Sequence, residues 1–116
     1  MNIPISDFFH ALADETRLRC LALIHQTGEL CVCELTHALG VVQPKISRHL
    51  AILKGAHILR DRRAGVWVYY HLPPELPGWM MKVLNDTVMS VQDQEPFCTD
   101  RKRLNEMPTR NQNGCS

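Results

Sequence analysis

Between Leu39 and Ile46 only a short join around Gly40 separates two segments whose apolar residues recur at helical spacing, and this limits the fold more than anything else in the chain. A few residues containing a glycine is the length and composition of the turn in a helix-turn-helix. The first segment, Glu29 to Leu39, reads as a short helix that Gly40 ends. The second carries Ile46, Leu50 and Leu53 on one stripe, with Pro44 near its start, where a proline is tolerated. On a wheel of about 100° per residue, Pro44, Ser47, Arg48 and Ala51 face away from that stripe, with Lys45 beside them.

Two further helices precede the pair. Ile5, Phe8, Phe9 and Leu12 mark the first; Asp14 offers an N-cap to the second, which carries Leu18, Leu21, Ala22 and Ile24 and stops at Gly28. After the pair, Ile58-Leu59-Arg60 reads as a strand, Asp61 to Gly65 as a turn, and Val66 to Leu72 as a second strand rich in β-branched and aromatic residues. The product is a hairpin wing with Arg62 and Arg63 at its tip. A last helix beyond Pro73-Pro74 shows Leu76, Met80, Val83, Leu84, Thr87, Val88 and Val91, with Met80, Met81 and Met89 read as packing residues. The expected architecture is mainly α with a small β-hairpin: a winged helix-turn-helix of about five helices and a two-stranded wing. Residues 1–91 form the DNA-binding and dimerisation domain, and residues 92–116 a flexible C-terminal tail holding Cys98 and Cys115.

The net charge of +1 hides an uneven distribution: residues 1–44 sum to −3, residues 45–72 to +5 and residues 73–116 to −1. A basic middle is the footprint of a nucleic-acid surface. The expected DNA contacts are Gln43, Lys45, Ser47, Arg48 and His49 on the second helix of the pair, and Arg62 and Arg63 on the wing. Because such proteins read paired half-sites, the expected partners are double-stranded operator DNA and a second copy of the chain, docked through the first and last helices. No apolar run approaches the roughly 20 residues of a membrane span, and the N-terminus lacks the pattern of a secretory signal. A cytoplasmic protein with no membrane partner is expected.

Five cysteines, an odd number, argue for reduced thiols over a disulfide scaffold. Cys31 and Cys33 stand one residue apart in Glu29-Leu30-Cys31-Val32-Cys33-Glu34-Leu35, and thiolate is the ligand that soft ions select. Both fall in the first turn of the Glu29 to Leu39 helix, where positions i and i+2 point about 200° apart, so gripping one ion must distort that turn. The helix N-terminus would favour their thiolates. Cys20, among Leu18, Leu21 and Leu23, reads as a small buried hydrophobe. No Cys-x-x-Cys, phosphate-cradling Gly-rich loop or acid-base pair points to an enzyme, and most of the six scattered histidines read as structural.

The order helix, helix, short cysteine helix, recognition helix, wing, terminal helix resembles the ArsR-type family of metal-responsive winged-helix repressors over roughly residues 5–91. The resemblance rests on Ala13 to Arg19, Glu29 to Leu35, Gln43 to Leu50 and Val68 to Leu72. It implies a dimeric repressor that leaves its operator when an inducing ion binds. Within the family, zinc-type sites use histidines on the terminal helices, and none follows His71; cadmium and lead sensors add thiols from an N-terminal arm, and none precedes Cys20. The resemblance therefore implies an arsenite- or antimonite-responsive type, with As(III) or Sb(III) as inducer and no cofactor needed for DNA binding. Cys31 and Cys33 would be the main ligands. The position where this type often carries a third cysteine holds Thr36, so the third sulfur would come from Cys98 of the same or the partner subunit or from a solute thiol, with Cys115 a weaker alternative. A thiol redox or sulfur-responsive repressor is the alternative on the same scaffold; a cadmium or lead sensor and a small thiol enzyme are more distant ones.

Overall fold

A computed structural model describes residues 3–107. In chain order the elements are α1 (Ile5–Leu12), α2 (Glu15–Thr27), β1 (Glu29–Cys31), α3 (Val32–Leu39), α4 (Gln43–Gly55), β2 (Arg60–Ala64), β3 (Trp67–His71), α5 (Gly78–Val91) and α6 (Phe97–Asn105). Asp14 caps α2 by accepting the Arg17 amide at 3.0 Å, and Gly40 ends α3 in the left-handed conformation at φ 66°. The helix-turn-helix is thus α3–α4, with Ile46, Leu50 and Leu53 fully buried against Phe8, Leu21, Ile24 and Leu35.

Buried Arg17 ties these helices together. Its guanidinium donates to the carbonyls of Ala11 (2.7 Å) and His10 (3.3 Å) at the end of α1 and lies 3.3 Å from His49 Nδ1 on α4. The last turn of α1 leaves carbonyls without intrahelical partners, and a cation is the natural group to satisfy them. The recognition helix is thereby located against α1 and α2 by polar contacts as well as by its apolar stripe.

The sheet has three antiparallel strands in the order β1-β3-β2. Cys31 pairs with Tyr69 and Glu29 with His71 on one side of β3; Arg62 pairs with Tyr69 and Ala64 with Trp67 on the other. Three features depart from the sequence reading. Glu29–Cys31 is a strand, too short to carry a periodic signal and formed because β3 offers a free edge. The wing begins two residues later than expected: Ile58 and Leu59 are buried at the end of α4 by bonds to the Leu53 carbonyl, and the turn is Gly65-Val66, with Gly65 at φ 63°. Arg62 and Arg63 consequently lie within β2, a strand so polar that no alternation marked it.

The third departure is a sixth helix, inside the stretch read as a tail. α6 buries Leu104 and Asp100, 1% and 2% exposed, and packs on α3. Arg19 on α2 holds Asp100 through two bonds of 2.8 Å and donates a third, of 3.0 Å, to the Leu39 carbonyl at the end of α3. Arg103 lies against Gly40, where an added Cβ would meet its guanidinium at 3.0 Å. An ion pair between residues 81 positions apart leaves no trace in local periodicity. Residues 108–116, which include Cys115, lie outside the described residues.

Removing the Asp100 carboxylate leaves Arg19 as an uncompensated charge at a buried junction. Asp100→Ala should lower the unfolding free energy by about 3 kcal/mol in urea titrations, whereas Lys82→Ala, which breaks an exposed pair with Asp86 on α5, should leave the midpoint where it is.

Candidate metal centre and nucleic-acid interface

Cys31 does not sit in a helix. It closes β1 in an extended conformation, φ −95° and ψ 169°, and serves as the N-cap of α3, whereas Cys33 lies in the first turn. The change of backbone direction between the two brings their sulfurs to 3.7 Å. The opposed orientation expected of positions i and i+2 does not arise, because only one of the pair is helical. Two bonds of ~2.3 Å, the zinc–thiolate length, would span such a gap at an angle of about 107°. The premise of the helix-distortion expectation, that both cysteines are helical, therefore does not hold.

Glu34 fixes this geometry. Its Oε1 accepts the Cys31 amide at 3.0 Å, completing a capping box, and lies 3.3 Å from the Cys31 sulfur. The same carboxylate acts on Cys33: burial raises the Cys33 thiol pKa above its ordinary value, and the negative charge of Glu34 adds to the rise. The expected acidifying effect of the helix N-terminus is therefore outweighed.

Cys31, 1% exposed, and Cys33 line a cavity of about 250 Å³ whose other walls are Val32, Gln43 at the start of α4, and Val66, Trp67 and Val68 at the wing turn. The cysteine pair lies between the two elements expected to read DNA. Among the described residues no group of three or more His, Cys, Asp or Glu side chains is placed to hold a metal ion. Cys98 is on α6, whose neighbouring Asp100 and Arg103 engage Arg19 and Gly40 at the far end of α3. Cys20 is fully buried, and burial pushes its thiol up to about 12, as suits an inert packing residue.

On α4, Gln43, Lys45 and Arg48 are exposed and Ser47 is half-buried; Gln43 donates to the Ser47 hydroxyl at 3.0 Å. These four form one outward face. His49 does not join them. It is 4% exposed, sits against Arg17 and lies 3.8 Å from Asp14; burial lowers its pKa, and Arg17, Arg48 and Lys45 lower it further against the pull of Asp14. Spacing explains the error: residue 49 is three beyond Ile46 and falls on the buried stripe. Arg63 is exposed on β2, whereas Arg62 holds Glu29 of β1 in a bidentate pair of 2.6 and 2.7 Å, its guanidinium 4.9 Å from the Tyr69 ring centroid. The wing tip itself is Gly65-Val66, and neither arginine occupies it.

Glu29, Trp67, Arg19 and Asp100 were missed as members of this assembly. Only Glu29, an acid two residues before Cys31 and therefore on the same side of a strand, carried a signal that a strand assignment would have exposed.

Residues 14–61, from the cap of α2 into the wing, match the family described as bacterial regulatory protein, arsR family. The chain is 56% identical over 104 residues to the arsenic resistance transcriptional regulator ArsR1 of Pseudomonas putida, covering 90% of this chain and 80% of that protein. The chain belongs to the arsR family. It is also 47% identical over 92 residues to the arsenical resistance operon repressor of Escherichia coli, across 79% of this chain and 78% of the relative. Among solved structures, that of the AntR antimony-specific transcriptional repressor superposes with a TM-score of 0.64 at 28% identity, covering 76% of this chain and 77% of that one. As an arsR-family member the chain is a transcriptional regulator with a winged helix-turn-helix. Among the described residues no helix is long and apolar enough to cross a membrane.

A raised Cys33 pKa makes a measurable statement. Alkylation of Cys33 by iodoacetamide, followed by peptide mass mapping, should accelerate with pH through pH 9 without levelling. Glu34→Gln, which keeps a carbonyl oxygen for the Cys31 amide, should move that profile to lower pH. A Glu34→Gln profile that superposes on the wild type would remove the carboxylate as a cause.

Proposed function

We propose that this arsR-family protein is a cytoplasmic repressor that holds operator DNA as a homodimer and releases it when As(III) or Sb(III) bonds to Cys31 and Cys33. The observation that carries the reading is the 3.7 Å sulfur pair inside a cavity walled by the first residue of the recognition helix and by the wing turn. An ion seated there bears on both DNA-reading elements, whose relative position must match the groove. The relatives named for arsenic resistance and the antimony-specific structural neighbour support the choice of element. No catalytic role is assigned to any residue.

Dimerisation through α1 and α5 is supported by a shared apolar patch. Phe8 meets Phe9 and Trp79 edge to face and Phe9 lies tilted against Trp79, with centroids 5.1 to 6.2 Å apart, and Ile5, Phe9, Trp79 and Met89 are all 44% or more exposed. Patches of this kind mark contact surfaces. In this reading the third bond of an inorganic ion comes from outside the pair, from a solute thiol or from Cys98 of a second copy.

DNA contact is assigned to Gln43, Lys45, Ser47, Arg48 and Arg63. Arg62 is a conditional contact, because a phosphate would have to compete with Glu29 for its guanidinium.

Replacing both Cys31 and Cys33 with serine should leave operator affinity within about twofold of wild type while abolishing release by arsenite in a gel-shift titration; release that persists would refute the assignment. If oxidant but not arsenite frees the wild-type protein, the redox reading replaces this one. For the DNA face, Arg48→Ala should weaken operator binding by about tenfold, and Arg63→Ala should reduce the slope of log affinity against log salt by about one for each half-site. Fluorescence anisotropy at several salt concentrations measures both.

A further inference from the structure

An ion held by two thiols from one short segment has a third substituent, and the structure offers a specific place for it. Cys31, itself almost fully buried, and Cys33 line the same cavity, and apart from them its walls are Val32, Val66, Trp67, Val68 and the uncharged Gln43. A hydroxide pressed into that space would exchange water for apolar surface, which is unfavourable without new hydrogen bonds. A carbon substituent gains by the same burial. Size permits it as well, since a cavity of about 150 Å³ admits a benzene ring and this one measures about 250 Å³. The half-buried Trp67 supplies an aromatic wall against which a second ring can pack.

We propose that the cavity is a specificity pocket for trivalent arsenicals carrying one carbon substituent, with Trp67 as its selecting residue. The proposal rests on the arsenic-responsive reading above and narrows its ligand class. A monosubstituted arsonous acid presents one As–C bond and two As–OH bonds. With the thiols reduced, Cys31 and Cys33 each form an As–S bond, the two As–O bonds break, and the two thiol protons leave with the hydroxides as two water molecules. Arsenic remains trivalent throughout, so no oxidant or reductant is consumed. The As–C bond persists and directs its substituent between Val32 and Trp67. At this residue pair the ligand would touch the wing turn directly, so a larger substituent also displaces the wing further.

The test compares three probes on the full-length reduced protein: inorganic arsenite, methylarsonous acid and phenylarsine oxide. Each is titrated in competition with a small-molecule dithiol, which binds trivalent arsenic through two sulfurs but has no cavity. The comparison therefore cancels intrinsic arsenic–dithiol affinity. The expected result is that the protein withdraws the phenyl compound from the competitor about tenfold more effectively than the methyl compound, the effect of burying some ~50 Å² of ring. Trp67→Ala should bring that ratio close to one, and Trp67→Phe, which keeps a ring, should retain most of it. Val66→Asp supplies an independent check at a turn residue 83% exposed, where substitution does not threaten folding, and should reduce the same ratio. A ratio near one in the wild type, or one unchanged in Trp67→Ala and Val66→Asp, overturns the pocket assignment. Failure of the wild type to take up inorganic arsenite overturns the arsenic-responsive reading beneath it. Uptake of arsenite with no phenyl preference removes only the pocket.

Discussion

The backbone reversal at Cys31 is the constraint on which the functional part of the structure depends. A strand residue that is also the N-cap of the following helix must be extended, and Cys31 is held so from two directions. The antiparallel pairing of β1 with β3 sets its register opposite Tyr69, and the Glu34 carboxylate takes its amide at the start of α3. Neither support suffices alone. A three-residue strand has little stability without the sheet it joins, and a capping box fixes a helix entry without fixing where the preceding chain goes. Together they set the sulfurs 3.7 Å apart and face them toward the recognition helix and the wing.

The second anchor acts at the opposite end of α3. Arg19, Asp100, Leu39 and Arg103 join α2, the helix-turn-helix turn and α6 through one buried ion pair and the carbonyl it shares. A buried pair of this sort adds little net stability compared with an apolar substitute but is costly to break. Its consequence here is positional. α3 is fixed at its C-terminal end by α6 and at its N-terminal end by the strand junction, so the helix between cysteines and turn is braced at both ends. On the proposed reading, motion passed from the cysteines has its softest outlet through the cavity to the wing, whose strands hold no fully buried residue.

The helix-turn-helix was legible because its signals are local: apolar stripes at Leu35, Ala38 and Leu39 and at Ile46, Leu50 and Leu53, with Gly40 where a left-handed residue is required. Asp14 as a cap and Gly28 as a stop were legible for the same reason. What escaped depended on partners distant in sequence. β1 exists because β3 pairs with it, α6 because Arg19 neutralises Asp100, and Arg62 turned from a wing-tip contact into a strand residue because Glu29 lies across β3. The chemistry of the cysteine pair is readable from residue type, but its geometry is not, since a helix-period reading cannot reveal that the first cysteine belongs to a strand. His49 shows the limit of reading a face from residue type: its polarity suggested DNA, whereas its position placed it beside Arg17.

The bidentate contact between Glu29 and Arg62 joins these strands into one electrostatic circuit. Glu29 stands two residues before Cys31 on the strand edge, and Arg62 crosses Tyr69 to reach it, so the cysteine strand and the wing share a charge pair as well as backbone bonds. The arginine holds the Glu29 carboxyl below its ordinary pKa, which keeps the pair charged under neutral conditions. Exposure limits what such a pair contributes to stability, but its effect on DNA binding has a definite sign. A wing arginine committed to an internal carboxylate is one cation fewer for phosphates, and operator DNA that recruits Arg62 must loosen Glu29 from it. On the proposed reading, Glu29 and Cys31 share β1, so a change that DNA imposes on the first is passed along the strand to the second. Reciprocity then requires that an inducer which weakens DNA binding be weakened by DNA in equal factor, and on the proposed reading the cavity between the cysteine segment and the wing turn is where the two effects meet.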